Sequence, residues 1–386
     1  MGVLLLMLNR WRKIEKEVVK AGVIPAEINT PLGLNSTWNC YISDRSNGKT
    51  TSWLIYAIKA YVMYGIVTHY IRSTKNMITQ SAVMTIFNVI ISNNYVSKLT
   101  DNNWNSIVYM RNEHKFYLCN RNESGGIDEM DLEGFLMCMS IDKADEYKSG
   151  YQCDNGDLIL FDEFINTFYK RGEFVKFCDL LSTIIRKRTD CKIVMLANTI
   201  LRTSEYFDEL ECREFIDHAE GGDYIDYEIP CETGGCTSVH VEILSPKLND
   251  TRKLFNAKYF AFRNPLLYSI TGSGWAVRNY LHPTEGFKTI HKNIFLEYKN
   301  KWYSLRVIQL ECGRFTIFMA PHTREPKEDA YIYSDNYNPF DVRYHSLTHD
   351  KNSFDTWVFN RYYCGDIIYA NNTCGSILED FMHNIR

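Results

Sequence analysis

Two short stretches of this chain hold residue types that can do phosphate chemistry. Ser43-Asp44-Arg45-Ser46-Asn47-Gly48-Lys49-Thr50 reads S-x-x-x-x-G-K-T, one residue short of the phosphate-cradling pattern G-x-x-x-x-G-K-[ST]. Such a loop, continued by Thr51 into a helix, would wrap a nucleotide's phosphates. Lys49 would reach the β- and γ-phosphates, and Thr50 would offer its hydroxyl to Mg²⁺. Further along, Leu158-Ile159-Leu160-Phe161 is an apolar run ending in Asp162-Glu163. Asp162 would hold Mg²⁺, directly or through a water, and Glu163 would orient and deprotonate an attacking water, the general-base role. G-K-T alone recurs by chance, and D-E after an apolar run is commonly a solvated turn. Together, each in suitable surroundings, they are the two halves of a site that hydrolyses ATP.

The loop needs a strand before it and a helix after it. Thr37 to Ile42 is rich in aromatic residues and reads as a short strand. From Lys49 to Tyr64, Leu54, Ile55, Ile58, Tyr61 and Val62 form one apolar stripe of helical period, and Gly65 is a natural stop. The helix would aim its N–H groups and positive dipole end at the phosphates. The pattern departs from the usual glycine at Ser43; Asn47 tolerates left-handed backbone angles, and Gly48 is kept. Asp157 to Phe164 reads as a buried strand of a parallel sheet, with its carboxylates at the carboxyl end where open α/β sheets bind ligands. Phe174 to Thr183 has helical spacing. Lys192 to Thr199 reads as another buried strand, whose Asn198 and Thr199 would lie beside the acidic pair and sense the γ-phosphate or the water. This order predicts right-handed parallel crossovers and an α/β fold, a parallel sheet flanked by helices.

In this order of stations the chain resembles the DNA-encapsidation ATPases of phi29-like phages, relatives of the terminase large subunits. The stations are Tyr41-Ile42, Arg45, Gly48-Lys49-Thr50, Tyr64-Gly65, Tyr70-Ile71-Arg72, Leu160 to Ile165, Arg186-Lys187-Arg188 and Leu196-Ala197-Asn198. Roughly the first 210 residues carry the resemblance well and the last 100 faintly. It implies an ASCE-type P-loop NTPase, ATP and Mg²⁺ as cofactors, and a pentameric homo-oligomeric ring that drives double-stranded DNA through the portal, or connector, of a capsid. A packaging RNA is left open as a further partner. Arg45 inside the loop is typical of such motors. Arg186 falls where the family carries a basic residue that completes the neighbouring subunit's site, with Arg188 as the alternative. The C-terminal part would be an RNase H-like relic without nuclease activity, because the strands from Trp302 to Ile308 and Arg314 to Met319 hold no aspartate placed for two-metal cutting.

Composition sets bounds. The 386 residues suit two domains and a linker. With 45% hydrophobic and 23% charged residues the chain can bury a sizeable core. A net charge of −4 runs against a general DNA binder, so DNA contact must come from local patches or from a pore with few residues per subunit, with Lys75 and Lys148 as candidates. Twelve cysteines without a secretory leader suggest reduced thiols in a host-cell cytoplasm. The apolar run Gly2 to Leu8, followed by an amphipathic helix from Arg10 to Lys20, is too short to span a membrane. Residues 1–212 are expected to form the motor domain and 213–285 a linker subdomain with a helical piece near Asp250 to Tyr268. Residues 286–386 are expected to form a small α+β domain closing on a helix from Cys374 to Ile385.

Other patterns compete for attention. Asn120 to Asp131 has much of the spacing of a calcium loop, but a strand-like run precedes it and a β-hairpin is the preferred reading. Cys231, Cys236 and His240, with Cys212 and His218 nearby, could begin a zinc site, but lack a clear second pair. Phe354, Trp357, Phe359, Tyr362 and Tyr363 could stack on bases, though core packing accounts for them more simply. A nucleotide-binding adaptor ring without turnover is the alternative to a motor. An RNA-directed ATPase is disfavoured by the absence of helicase motifs beyond the acidic pair.

Overall fold

The structure is a computed structural model that describes residues 2–23, 36–44, 48–78, 85–148, 156–165, 172–186, 188, 190–199, 202, 204–231, 234–245, 258, 280–283, 286–346 and 353–384. The chain forms two compact units, Met1–Ala276 and Val277–Arg386.

The first unit begins with helix α1 (Gly2–Lys20), longer than the expected Arg10 to Lys20 because the Leu- and Met-rich run before it continues the helix. Strand β1 (Trp38–Ser43) leads to α2 (Lys49–Tyr64), and β2 (Thr68–Arg72) follows. Next come β3 (Ser106–Met110), β4 (Lys115–Arg121), β5 (Ile127–Met130) and β6 (Leu136–Ser140). Then β7 (Leu158–Asp162), α3 (Glu173–Ile185) and β8 (Lys192–Asn198) complete a strand–helix–strand unit. Strands β9 (Tyr224–Pro230) and β10 (Cys236–Ile243) end the unit's sheet.

Among the described residues the sheet has ten strands in the order β3-β4-β6-β2-β7-β8-β1-β10-β9, with β5 on β4. The six from β6 to β10 are parallel, and antiparallel strands close both flanks, so the sheet is mixed rather than purely parallel. The stretch expected as a linker contributes β9 and β10, with β10 bonded directly to β1. The helical piece expected near Asp250 to Tyr268 lies outside the described residues, apart from Lys258.

Burial follows the alternation of a strand covered on both faces. Leu158 and Leu160 pack in one cluster with Tyr41, Tyr70 and Leu54, Ile55 and Ile58 of α2, while Val62 of the expected stripe is exposed; Ile159 and Phe161 pack on the other face with Ile42, Ile71 and Phe177 of α3. Helix α2 starts just after Gly48, at φ 80°, and stops at Gly65, at φ 66°, whose N–H donates to Tyr61 O at 2.7 Å. Both glycines occupy the left-handed region that side chains resist. β4 and β5 pair antiparallel, so Asn120 to Asp131 forms a hairpin.

The second unit is α+β. Its strands are β11 (Phe287–Tyr298), β12 (Lys301–Leu310), β13 (Phe315–His322), β14 (Tyr331–Ser334) and β15 (Ile367–Tyr369). They run in the order β14-β11-β12-β13-β15. Helices α4 (Ser353–Tyr363) and α5 (Asn372–Asn384) cover one face. Phe354, Trp357, Phe359 and Tyr362 pack against that core, while Tyr363 is exposed.

His69, on β2, is fully buried, and a Cβ on Gly156 would come within 2.2 Å of its ring. Burial, then the charges of Arg188 and Lys115, lower its pKa from 6.5 to about 3. The unfolded chain therefore takes up this proton first as pH falls. The stability held by neutral His69 is complete above pH 6.5 and is lost as pH drops toward 3. Lowering the pH from 7 to 5 should cost about 2 kcal/mol of unfolding free energy from this group. Urea unfolding of the wild-type chain and of His69→Phe at the two pH values measures it: the variant should lose most of that pH dependence, and equal slopes would contradict the assignment.

Candidate active site

The strand order has a direct consequence at the carboxyl ends of the parallel strands. β8 lies between β1 and β7, so Asn198 at its end stands between the phosphate-type loop and the acidic pair. Lys49 Nζ donates to Asn198 Oδ1 at 2.6 Å. One residue along α2, Thr50 Oγ1 donates to Asp162 Oδ1 at 3.0 Å. Thr51, next on the helix, is half-buried. Both Lys49 and Asp162 are buried, which takes them out of bulk water and strengthens their interactions.

The other oxygen of Asp162 is held from β2. Oδ2 accepts from Tyr70 OH at 2.8 Å and from Arg72 Nη1 at 3.1 Å. The second arm of the same guanidinium, Nη2, donates to Glu163 Oε2 at 2.7 Å. Burial, then the Asp162 charge, raise the Tyr70 phenol pKa well above its ordinary value, so it stays protonated and donates.

Glu163 leaves β7 with φ 59°, a left-handed angle that a non-glycine residue adopts only when its surroundings impose it. The Asp162–Leu196 pairing fixes the chain before it, and Phe164 N–H donates to Leu196 O at 3.1 Å just after it. The glutamate is thus presented from a turn anchored on both sides, its side chain 43% exposed, open to a reacting water. At the start of β1's turn, Ser43 and Asp44 are buried, and Thr199 reaches across from β8 to both.

This is hard oxygen and ammonium chemistry. A threonine hydroxyl and a carboxylate within one hydrogen bond of each other suit Mg²⁺, and a lysine at a helix start suits a phosphate. The arrangement can bind a metal-bound phosphate ester and supply a base beside it. Arg45, Ser46 and Asn47 lie outside the described residues.

Other expected positions are elsewhere. Arg186 follows α3 on the side of the sheet where β8 starts, the opposite end from Asp162 and Glu163. It is exposed, and its Nε donates to Thr183 O at 3.3 Å. Arg188 lies 3.7 Å from Asp157, at the start of β7. Lys148 is spent on Asp145 and Asp179, at 2.8 and 2.6 Å, and Lys75 is exposed, its backbone N–H bonded to Asp142. His240 is buried against Asp226 and Glu242 rather than turned toward the exposed Cys231 and Cys236. Among the described residues no three His, Cys, Asp or Glu side chains gather as a metal site.

Arg72 and Tyr70 carry no role in the sequence-based site. The available signal was their place in the Tyr70-Ile71-Arg72 station of the resemblance, which assigned neither a role.

No family model matches this chain, and no curated protein matches it. Solved structures do. The bacteriophage Phi-29 viral genome packaging motor assembly matches with a TM-score of 0.54 at 15% identity, over 91% of this chain and 96% of that one. The Phi-28 gp11 DNA packaging motor matches with a TM-score of 0.50 at 18% identity, over 92% and 96%. At these identities the likeness is one of fold.

Removing the Asp162 carboxylate would take the acceptor from buried Tyr70 and from one arm of the largely buried Arg72 guanidinium, leaving the other arm on Glu163. Asp162→Ala should lower the unfolding free energy by about 3 kcal/mol, and Asp162→Asn, which keeps an acceptor, by less. Urea denaturation measures both; a change below about 0.5 kcal/mol in Asp162→Ala would mean that these bonds do not form in solution.

Proposed function

We propose that this chain is an ATPase motor that moves double-stranded DNA into a viral capsid, working as a homo-oligomeric ring at the capsid's portal. The observation that carries the reading is the convergence of Lys49, Thr50, Asp162, Glu163 and Asn198 on one end of the sheet, joined by the Lys49–Asn198 and Thr50–Asp162 bonds. The fold likeness to the Phi-29 and Phi-28 packaging motors, over nine-tenths of the chain, supports the choice of DNA packaging among the uses of such a site.

In this reading Lys49 and the N-terminus of α2 bind the β- and γ-phosphates, with Arg45 and the rest of the loop from Ser43 to Thr51 around them. Thr50 and Asp162 hold Mg²⁺. The metal, when bound, supplies positive charge against the phosphate oxygens. Glu163 accepts a proton from the attacking water while Arg72 keeps its carboxylate in place beside Asp162. Asn198 holds the Lys49 ammonium and contacts the γ-phosphate or the water. The exposed Arg186, at the opposite end of the sheet from Asp162 and Glu163, serves the neighbouring subunit's site. The charge it adds there is worth on the order of a thousand-fold or more in rate. We further propose a pentameric ring, a host-cytoplasmic location with transient residence on the prohead, and an RNase H-like second unit that does not cut. That unit would contact portal, DNA or a packaging RNA.

Glu163→Gln separates this from an adaptor ring that binds ATP without turnover. The variant should keep its affinity for a fluorescent ATP analogue and lose turnover by about 10²–10⁴-fold, whereas Lys49→Ala should lose binding. A wild-type chain that binds ATP and shows no hydrolysis, with or without DNA, would leave the adaptor reading. In mixed rings, Arg186→Ala subunits should lower the turnover of wild-type neighbours; strictly additive activities would remove the trans role.

A further inference from the structure

Asp44 is an unusual residue for its place. It follows β1 directly, in the loop that would wrap phosphates, where a carboxylate repels the ligand unless its charge is otherwise engaged. The structure gives it an occupation. Asp44 is 5% exposed, and its Oδ1 accepts a hydrogen bond from Thr199 Oγ1 at 2.9 Å. The Thr199 N–H donates to Ser43 O at 3.0 Å, and Ser43 Oγ donates to Asp44 O at 2.9 Å. These bonds extend the β1–β8 pairing by one residue beyond its last partners, Ser43 and Asn198.

The residue before Thr199 is Asn198. Its partner Lys49 has hydrogen-bond donors and no acceptor, so the amide of Asn198 must turn its oxygen to the ammonium. Its NH₂ group is then directed away from Lys49. Chain direction at Asn198 depends on how Thr199 is anchored, and Thr199 is anchored on Ser43 and Asp44.

We infer that Asp44 is a positioning residue: its carboxylate fixes Thr199, and through Thr199 aims the Asn198 amide, so that the lysine and the end of β8 answer to one bound phosphate together. The inference rests on the ATPase reading above and adds to it a residue that acts without touching the reacting atoms. Two properties of the carboxylate are separable. Its oxygen holds Thr199, which serves turnover, while its negative charge opposes the triphosphate, which weakens binding.

The test uses the full chain. Its readouts are kcat, KM, the dissociation constant of a fluorescent ATP analogue measured without turnover, and melting temperature. Asp44→Ala should lower kcat by about tenfold, the worth of one hydrogen bond to a charged group, with analogue binding unchanged or tighter. Asp44→Asn keeps an oxygen for Thr199 and should recover most of that loss while still binding more tightly than wild type. Thr199→Val should match the kcat loss of Asp44→Ala, and the double variant should lose no more than either alone, the behaviour of two residues acting as one unit. The inference is overturned if Asp44→Asn is as slow as Asp44→Ala, if the two single losses multiply, or if nucleotide binding collapses along with kcat. Should Asp44→Ala fail to fold, Thr199→Val decides, and wild-type kcat in that variant overturns the inference. A wild-type chain without turnover fails the ATPase reading itself; wild-type turnover with an unaffected Asp44→Ala fails only this inference.

Discussion

The carboxylate of Asp162 is where the structure of the first unit is decided. Three donors from two elements close on it: Thr50 from α2, and Tyr70 and Arg72 from β2, while its own strand, β7, carries Glu163 one residue further. A buried carboxylate must be hydrogen-bonded or neutralised, because leaving it bare costs several kcal/mol. These donors meet that demand and, in meeting it, fix the phosphate-type loop's helix, the acidic strand and the strand beyond it relative to one another. The second arm of Arg72 extends the same constraint to Glu163.

The sheet order makes this possible. Parallel strands deliver their carboxyl ends to one edge, and the order β1-β8-β7-β2 sets four of those ends side by side. The start of α2 bridges two of these ends: Lys49 bonds Asn198 at the end of β8, and Thr50 bonds Asp162 at the end of β7. On the far side, Glu173 at the start of α3 is buried and accepts from Ser73 and Tyr206, at 3.0 and 3.1 Å, bracing the turn after β2 from below. The proposed binding groups lie at the strand ends, and two apolar layers cover the sheet's faces.

Much of this was legible in the sequence because it rests on short-range signals. The helical spacing from Leu54 to Val62 gives α2, the apolar runs ending at Asp162 and Asn198 give β7 and β8, and G-K-T with a distant D-E picks out Lys49, Thr50, Asp162 and Glu163, which the fold brings to one end of the sheet. What stayed hidden depends on long-range pairing. The β4–β5 hairpin was legible at Asn120 to Asp131, but the pairing of β4 with β3 and β6 and the addition of β9 and β10 to the main sheet follow from register, which no local pattern prints. Tyr70 and Arg72 were stations of the resemblance without a role, and their hold on Asp162 appears only once β2 is known to lie against β7. Asp44 stands in the sequence only as one more residue of the phosphate-type loop, and its bond to Thr199, 155 positions away, is visible only in the fold. His240, with cysteines at ligand-like spacing, reads as a metal residue until Asp226 and Glu242 are found on either side of its ring.

A structure of the chain with Mg²⁺ and a non-hydrolysable ATP analogue tests the central claim most directly. The account predicts one magnesium touched by, or one water away from, both the Thr50 hydroxyl and the Asp162 carboxylate, with the γ-phosphate against Lys49 and Glu163 facing it across a water. A nucleotide bound elsewhere, or a magnesium with neither of those oxygens near it, would contradict the account.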